Sequence, residues 1–153
     1  LDKDLPEGRR GVHGAPTAAA IWGVTQDEYL QKADAWPLNP NGELLFGLKI
    51  EDKWAVANVD QSMKVPGIGF AEWGPGDMSL SLGVLGRGAP SDPRMQTNRN
   101  KVFAATKANK VFFLESMNEQ NIIAEIKEGV MVGPANEKAV EIGRKFTKRQ
   151  MPW

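Results

Sequence analysis

The residues best suited to chemistry follow two apolar segments. Glu51 comes directly after the segment 44–50, and Lys49 precedes it by two positions. If this segment is a strand, Gly47, Lys49 and Glu51 share one face, because side chains alternate along a strand. In parallel α/β folds, polar residues at the carboxyl end of a strand face the place where ligands bind. The alternative is that Glu51 lies in the first turn of the next helix, where the helix dipole favours a carboxylate.

A second carboxylate, Asp77, ends the Gly-Pro-Gly-Asp run at 74–77, which comes after the apolar segment 68–73. Glycines let backbone approach a ligand closely, and exposed amides there suit an anionic group. Asp77 would supply a hard oxygen ligand of the kind that Mg²⁺ and Mn²⁺ prefer. Taken alone, the run also fits a plain turn in which Asp77 caps the next element of the chain. Together with Glu51, it favours a metal site at two successive strand ends.

Other polar side chains compete with this pair. Glu72 precedes the glycine-rich run and Glu115 comes after a third apolar segment. Either could form a salt bridge to a neighbouring strand or helix, so both rank behind Asp77. His13, the single histidine, lies in an early loop and is not taken as a candidate site residue. Cysteine is absent, which excludes disulfides, thiolate metal sites and cysteine nucleophiles.

The elements that must position these residues alternate between strands and helices. Residues 1–43 are predicted to be irregular, except for one short helix that a capping box at 25–28 opens. Strands are predicted at 44–50, 68–73, 110–114 and 130–132, and helices at about 53–63, 91–108, 118–128 and 135–149. This alternation predicts βα units with a parallel sheet, in a single α/β domain over 1–153.

The composition limits the classes of partner. Of the 153 residues, 19 are basic and 19 are acidic, and no segment concentrates one charge. That argues against nucleic acid and membrane surfaces, because both require a clustered basic face. No apolar run approaches the roughly 20 residues that cross a bilayer, and nothing resembles a signal peptide. We therefore expect a cytoplasmic protein with small-molecule substrates.

Three segments together resemble the HpcH/HpaI aldolase and citrate lyase family. They are Leu48-Lys49-Ile50-Glu51, Pro66-Gly67-Ile68-Gly69-Phe70, and Gly74-Pro75-Gly76-Asp77-Met78-Ser79 with Leu82-Gly83. The run at 8–12 and the region of Trp22 resemble the family's loop before barrel strand five. The resemblance covers nearly the whole chain, and the run at 74–79 is its most specific part.

The resemblance implies a fold, a metal and a reaction. The chain would be the C-terminal half, strands five to eight, of a TIM-type (β/α)₈ barrel. Glu51 and Asp77 would hold a divalent cation, Mg²⁺ or Mn²⁺, while Gly76 and Asp77 would help bind the substrate carboxylate. The reaction would be that of a class II aldolase, in which a hydroxy-2-keto acid gives pyruvate or a related keto acid and an aldehyde. The alternatives are a lyase acting on a coenzyme A thioester and an inactive half-barrel.

Lys49 stands where the family usually has a glutamine that positions the oxygens of pyruvate. A cation would serve an enolate in the same way, so Lys49 is a candidate catalytic and substrate-binding residue. A Schiff base between Lys49 and a keto acid is a different mechanism, which an intact metal pair makes unnecessary. The remaining interpretation is an interior lysine paired with Glu51.

The resemblance also implies a homo-oligomer, because the family's last helix packs against a partner subunit. The predicted helix at 135–149 has an apolar stripe made of Ala139, Val140, Ile142, Gly143 and Phe146. We expect this helix to lie away from its own chain or to bury the stripe between subunits. Packing onto the chain's own sheet is the alternative.

We predict no measurable aldolase activity for this chain alone. In the family it resembles, a histidine assisted by an acid is the general base and an arginine binds the substrate, and no residue here matches them. General-base catalysis typically supplies about 10²–10⁴-fold in rate. The check is turnover of a hydroxy-2-keto acid by the purified chain with Mn²⁺. Robust turnover would contradict the prediction, and His13 or Lys49 would then have to be reconsidered as the base.

Overall fold

The computed structural model describes residues 11–85 and 91–149. The chain divides into two compact units, Leu1–Phe46 with Pro66–Gly69, and Gly47–Val65 with Phe70–Trp153. Residues 8–10 of the run that resembles the family's loop lie outside the described residues. Within the described ranges, no helix is long and apolar enough to cross a membrane.

The first unit contains two helices and a small parallel sheet. Helix α1 is Ala15–Trp22, α2 is Gln26–Lys32, and strand β1 (Ala35–Trp36) pairs with β2 (Leu44–Leu45). The capping box that predicted α2 is confirmed, because Thr25 Oγ1 accepts from the Glu28 amide and the Glu28 carboxylate accepts from the Thr25 amide. The prediction of an otherwise irregular segment is wrong. Four alanines give α1 a high helix propensity, which outweighs its flanking glycines and its proline, a residue tolerated in a first turn.

The second unit is a parallel sheet of three strands in the order β3–β4–β5. The strands are β3 (Gly47–Ile50), β4 (Phe70–Trp73) and β5 (Phe112–Leu114). The helices are α3 (Lys53–Ser62), α4 (Pro75–Ser81), α5 (Pro93–Asn109), α6 (Ile122–Glu128) and α7 (Glu137–Thr147). Because the strands are parallel, their carboxyl ends lie at one edge of the sheet.

Three sequence predictions about this unit are corrected. The predicted strand at 44–50 is divided into β2 and β3. The predicted fourth strand at 130–132 is reduced to one parallel bridge between Leu114 and Val132, because glycines flank it at 129 and 133 and weaken extended pairing. The run at 74–77 is the start of α4 and not a turn, since proline is compatible with a first helical turn and the dipole favours Asp77 there.

The two faces of the sheet differ in character. Ile50, Ala71, Trp73 and Phe113 are at most 5% exposed, on the side covered by α3 and α5. The alternating positions on the other face include Lys49, which is directly paired with Glu72. The core therefore lies between the sheet and its helices, and the polar side chains share the opposite face.

The last helix packs on its own chain. Ala139 and Gly143 of α7 are buried, and a Cβ on Gly143 would lie 2.9 Å from Ile122 Cδ1 of α6. The expectation that α7 lies away from the chain is therefore wrong, because its glycine allows close helix contact. Phe146 remains 41% exposed, with Lys127 Nζ 5.6 Å from its ring. An intersubunit contact at this residue stays a prediction.

A buried arginine joins α5, β5 and α6. Arg99 is 8% exposed, and its Nη2 lies 2.5 Å from Glu115 Oε2, 3.1 Å from Glu125 Oε2 and 2.7 Å from Glu128 Oε2. Burial raises the pKa of the Glu125 carboxyl and the neighbouring Glu115 raises it further, while hydrogen bonds from Arg99 lower the pKa of Glu128. Glu115 thus forms the kind of salt bridge that the sequence predicted for it.

We predict that Arg99→Met destabilises the chain by about 2–3 kcal/mol. The substitution keeps an apolar stem but leaves three carboxylates without their cation. The expected loss is below the roughly 3–5 kcal/mol of a fully buried pair, because Glu128 is 41% exposed. Urea unfolding measures the change, and Arg94→Met on the same helix is the control, since Arg94 is 54% exposed, pairs with the neighbouring Asp92 and donates to the Leu82 carbonyl. Equal stabilities of the two variants would contradict a structural role for Arg99.

Candidate active site

Lys49 and Glu51 meet on the polar face of the sheet. Lys49 Nζ lies 3.1 Å from Glu51 Oε2, and the two side chains are 56% and 30% exposed. The Oε2 atom itself is buried and has no partner at hydrogen-bonding geometry, so the contact is an ion pair without an oriented hydrogen bond. Glu51 is thus held at the end of β3, and its carboxylate oxygens can accept further donors.

The backbone at Gly74 fixes the place of this carboxylate. Gly74 comes directly after β4 and is the N-cap of α4, and its amide donates to the Ile50 carbonyl at 3.2 Å. A Cβ on Gly74 would lie 2.5 Å from Glu51 Cβ and 2.8 Å from Glu51 Oε2. The glutamate therefore occupies the volume that a side chain at position 74 would need.

Asp77 is exposed in the first turn of α4. This short helix is anchored by two buried residues, Met78 and Ser79, and Ser79 Oγ donates to the Gly76 carbonyl at 2.7 Å. The α3 amide of Lys53 also donates to Ser81 Oγ at 3.0 Å. The start of α3 and the end of α4 are thus tied together beside the Glu51 position.

Three carboxylates of the site act on the Lys49 ammonium. The carboxylate of Glu51 raises the pKa of the Lys49 ammonium, and Glu72 and Asp77 raise it further. Glu72 is the strand partner of Lys49 in the register of β3 and β4. Glu72 ranked behind Asp77 in the sequence prediction. Its pairing with Lys49 follows only from the register of β3 and β4. His13 is exposed in the first unit.

The donor set suits a hard divalent cation. Glu51 and Asp77 offer carboxylate oxygens, and the buried Oε2 atom lacks a hydrogen bond. Over residues 11–85 and 91–149, no group of three or more His, Cys, Asp or Glu side chains is arranged to hold a metal ion. Magnesium is commonly held by one or two carboxylates, with waters and substrate completing its coordination. The oxygen donors of Glu51 and Asp77 are thus of the type that such an ion prefers, and Lys49 lies at one of the Glu51 oxygens.

The fold and the site together define an α/β protein with polar and charged residues at the carboxyl edge of a parallel sheet. The family described as HpcH/HpaI aldolase/citrate lyase matches residues 5–141. The chain belongs to this family, and the resemblance predicted from the sequence is confirmed.

Individual relatives agree with this assignment. The chain is 33% identical over 105 residues to the 2-keto-3-deoxy-L-rhamnonate aldolases of Escherichia coli O1:K1 / APEC and strain K12, a match over 67% of this chain and 36% of theirs. The chain thus spans about a third of the length of these curated relatives.

Solved structures show the same fold. An HpcH/HpaI aldolase/citrate lyase family protein from Burkholderia cenocepacia J2315 superposes with a TM-score of 0.68 at 23% identity, over 96% of this chain and 54% of that one. The HpcH/HpaI aldolase from Desulfitobacterium hafniense DCB-2 superposes with a TM-score of 0.60 at 22% identity, over 96% and 56%. The prediction of an α/β fold with parallel strands is confirmed at this level.

We predict that Gly74→Ala destabilises the chain by about 1–3 kcal/mol, the usual range for overpacking. Its new methyl group would overlap Glu51 Cβ, which is fixed close to backbone. The control is Gly76→Ala, whose Cβ meets nothing within 4 Å. Alanine in helix α4 is expected to be neutral or to stabilise by up to about 1 kcal/mol. Urea unfolding compares the two, and a Gly74→Ala variant as stable as Gly76→Ala would show that Glu51 is not held against position 74.

Proposed function

We propose that this chain belongs to a metal-dependent, class II aldolase. The enzyme would cleave or form a carbon–carbon bond of a hydroxy-2-keto acid, with pyruvate or a related keto acid and an aldehyde as the other reactants. The observation that carries the proposal is the buried, non-hydrogen-bonded Oε2 of Glu51, held against Gly74 at the start of the helix that bears Asp77. The names of the E. coli relatives, which are keto-acid aldolases, support the same reaction class.

The proposed metal ligands are Glu51 and Asp77, and the ion is Mg²⁺ or Mn²⁺. Both side chains present hard oxygen donors, and the described residues of this edge include neither a cysteine nor a histidine. When bound, such an ion supplies Lewis acidity that stabilises the enolate oxygen formed as the carbon–carbon bond breaks.

The substrate carboxylate has its own proposed donors. Gly76 and Asp77 lie in the first turn of α4, where backbone amides have no acceptor within the helix. Gly74, the N-cap, provides no side chain to satisfy them. Their N–H groups and the ammonium of Lys49 would therefore bind and orient the carboxylate of a keto acid, which is the substrate-binding role predicted for these residues.

The same proposal places the chain within a larger architecture. Residues 1–153 would form one partial domain, the C-terminal half of a (β/α)₈ barrel, with the polar face of β3 and β4 toward the barrel interior. The parallel order β3–β4–β5 with intervening helices supports this arrangement. The general base would lie outside these residues, and the assembly would be a homo-oligomer.

We predict that Asp77→Asn weakens Mn²⁺ binding in the presence of pyruvate by at least about tenfold. An amide is uncharged, and the attraction between a carboxylate and a divalent ion in contact exceeds about 1.4 kcal/mol even in water. Calorimetric titration measures the affinity, and circular dichroism checks that the fold is retained. Asp60→Asn is the control, because Asp60 is an exposed residue near the C-terminal end of α3, whereas Glu51 directly precedes the start of that helix. Unchanged Mn²⁺ binding in Asp77→Asn would exclude Asp77 as a ligand.

A further inference from the structure

We propose that Lys49 is a built-in counterion that occupies Glu51 while the metal is absent and binds the keto-acid carboxylate once the metal has displaced it. Metal and keto acid would then strengthen each other's binding through the movement of a single side chain. This inference rests on the proposed metal site and adds a physical cause for cooperative binding of the metal and the keto acid.

The first step is competition for one atom. Lys49 Nζ lies 3.1 Å from Glu51 Oε2, and this is the oxygen that is buried and lacks a hydrogen bond. A divalent ion coordinated there and an ammonium at this distance would repel each other, because both are cations beside the same oxygen, and the exposure of Lys49 to solvent moderates that repulsion. The two cations therefore bind Glu51 alternately.

The second step is the freedom of the lysine. Its side chain is 56% exposed, and its contact with Glu51 is an ion pair that solvent can screen. Lysine carries its charge on a flexible four-carbon stem, so it changes position at small energetic cost. Arg99 provides the contrast within the same unit, since it is 8% exposed and hydrogen-bonded to Glu115, Glu125 and Glu128. Lys49 is the one of these two cations that is free to move.

The third step is the charge balance. Glu51 is in contact with Lys49, Glu72 is its strand partner, and Asp77 also raises its pKa, so three carboxylates act on one ammonium. The excess of two negative charges matches one divalent cation. With that cation bound, the three carboxylates, the ammonium and the ion would sum to zero charge, so an added anion would no longer meet an excess of negative charge beside Lys49. A keto acid brings such an anion in its carboxylate group.

These steps predict a coupling that is reciprocal. Mn²⁺ would raise the affinity for pyruvate, and pyruvate would raise the affinity for Mn²⁺ by the same factor. Lys49→Gln keeps a polar side chain but removes the charge, so it should strengthen Mn²⁺ binding without pyruvate and weaken the coupling. From the strength of an exposed ion pair, the expected gain in Mn²⁺ affinity is about 2–5-fold.

The experiment is titration of the 153-residue chain with Mn²⁺ alone and with Mn²⁺ in saturating pyruvate, monitored by electron paramagnetic resonance. The variants are Lys49→Gln, Lys49→Arg and Glu51→Gln, and the control is Lys53→Gln, which removes a nearby exposed lysine that lies over Trp54. We expect tighter Mn²⁺ binding and reduced coupling in Lys49→Gln only. Lys49→Arg should keep the coupling, and Lys53→Gln should match the unmodified chain.

The outcomes separate this inference from the proposed function. If Glu51→Gln abolishes Mn²⁺ binding while Lys49→Gln binds as the unmodified chain does, or more weakly, the metal site stands and the counterion role is overturned. If Lys53→Gln tightens Mn²⁺ binding as much as Lys49→Gln, the effect comes from the loss of any nearby positive charge and not from the Lys49–Glu51 pair. The inference is then also overturned. If neither the unmodified chain nor any variant binds Mn²⁺, the metal site itself fails and the inference fails with it.

Discussion

The parallel register of β3 and β4 is the constraint on which the site depends. The paired positions run from Gly47 with Phe70 to Ile50 with Trp73, so the next residues along the two strands, Glu51 and Gly74, emerge side by side. The amide of Gly74 continues the ladder by donating to the Ile50 carbonyl. Because position 74 has no Cβ, the glutamate side chain lies directly against backbone. A one-residue slip would turn Glu51 toward the helices and remove it from the polar face.

The unit uses its two charge clusters in different ways. Arg99 lies on the helix-covered side, where its guanidinium satisfies carboxylates from the end of β5 and from α6. A planar guanidinium with several donors suits a fixed arrangement of this kind. Lys49 lies on the opposite face with a single close ion pair and a largely exposed stem. The structure therefore makes one cation part of the scaffold and leaves the other exposed on the polar face of the sheet.

Local sequence rules predicted the parts of this fold that depend on near neighbours. The capping box at Thr25, the helix predicted at about 91–108 (observed as α5) and the position of Glu51 after a strand each depend on residues within a few positions. Arg99 was missed because its partners lie 16, 26 and 29 residues away, and an arginine in a polar helix resembles a solvated one. The closeness of Glu72 to Lys49 likewise required the strand register. The metal pair and the aldolase reaction came from the family resemblance, and local rules alone left them open.

A lysine at position 49 changes the electrostatics of the site in a way that a neutral side chain would not. With an amide there, Glu51 would be held partly buried with no opposite charge beside it, and Glu72 and Asp77 would add to the repulsion. Such a site would favour a divalent cation strongly but would destabilise the chain whenever the cation was absent. Lys49 offsets part of this repulsion, and at the proposed metal site the same interaction would oppose binding of the ion. The strength of the Lys49–Glu51 pair would then set a balance between the stability of the chain and its affinity for the proposed ion, and an anion that draws the ammonium away would shift that balance.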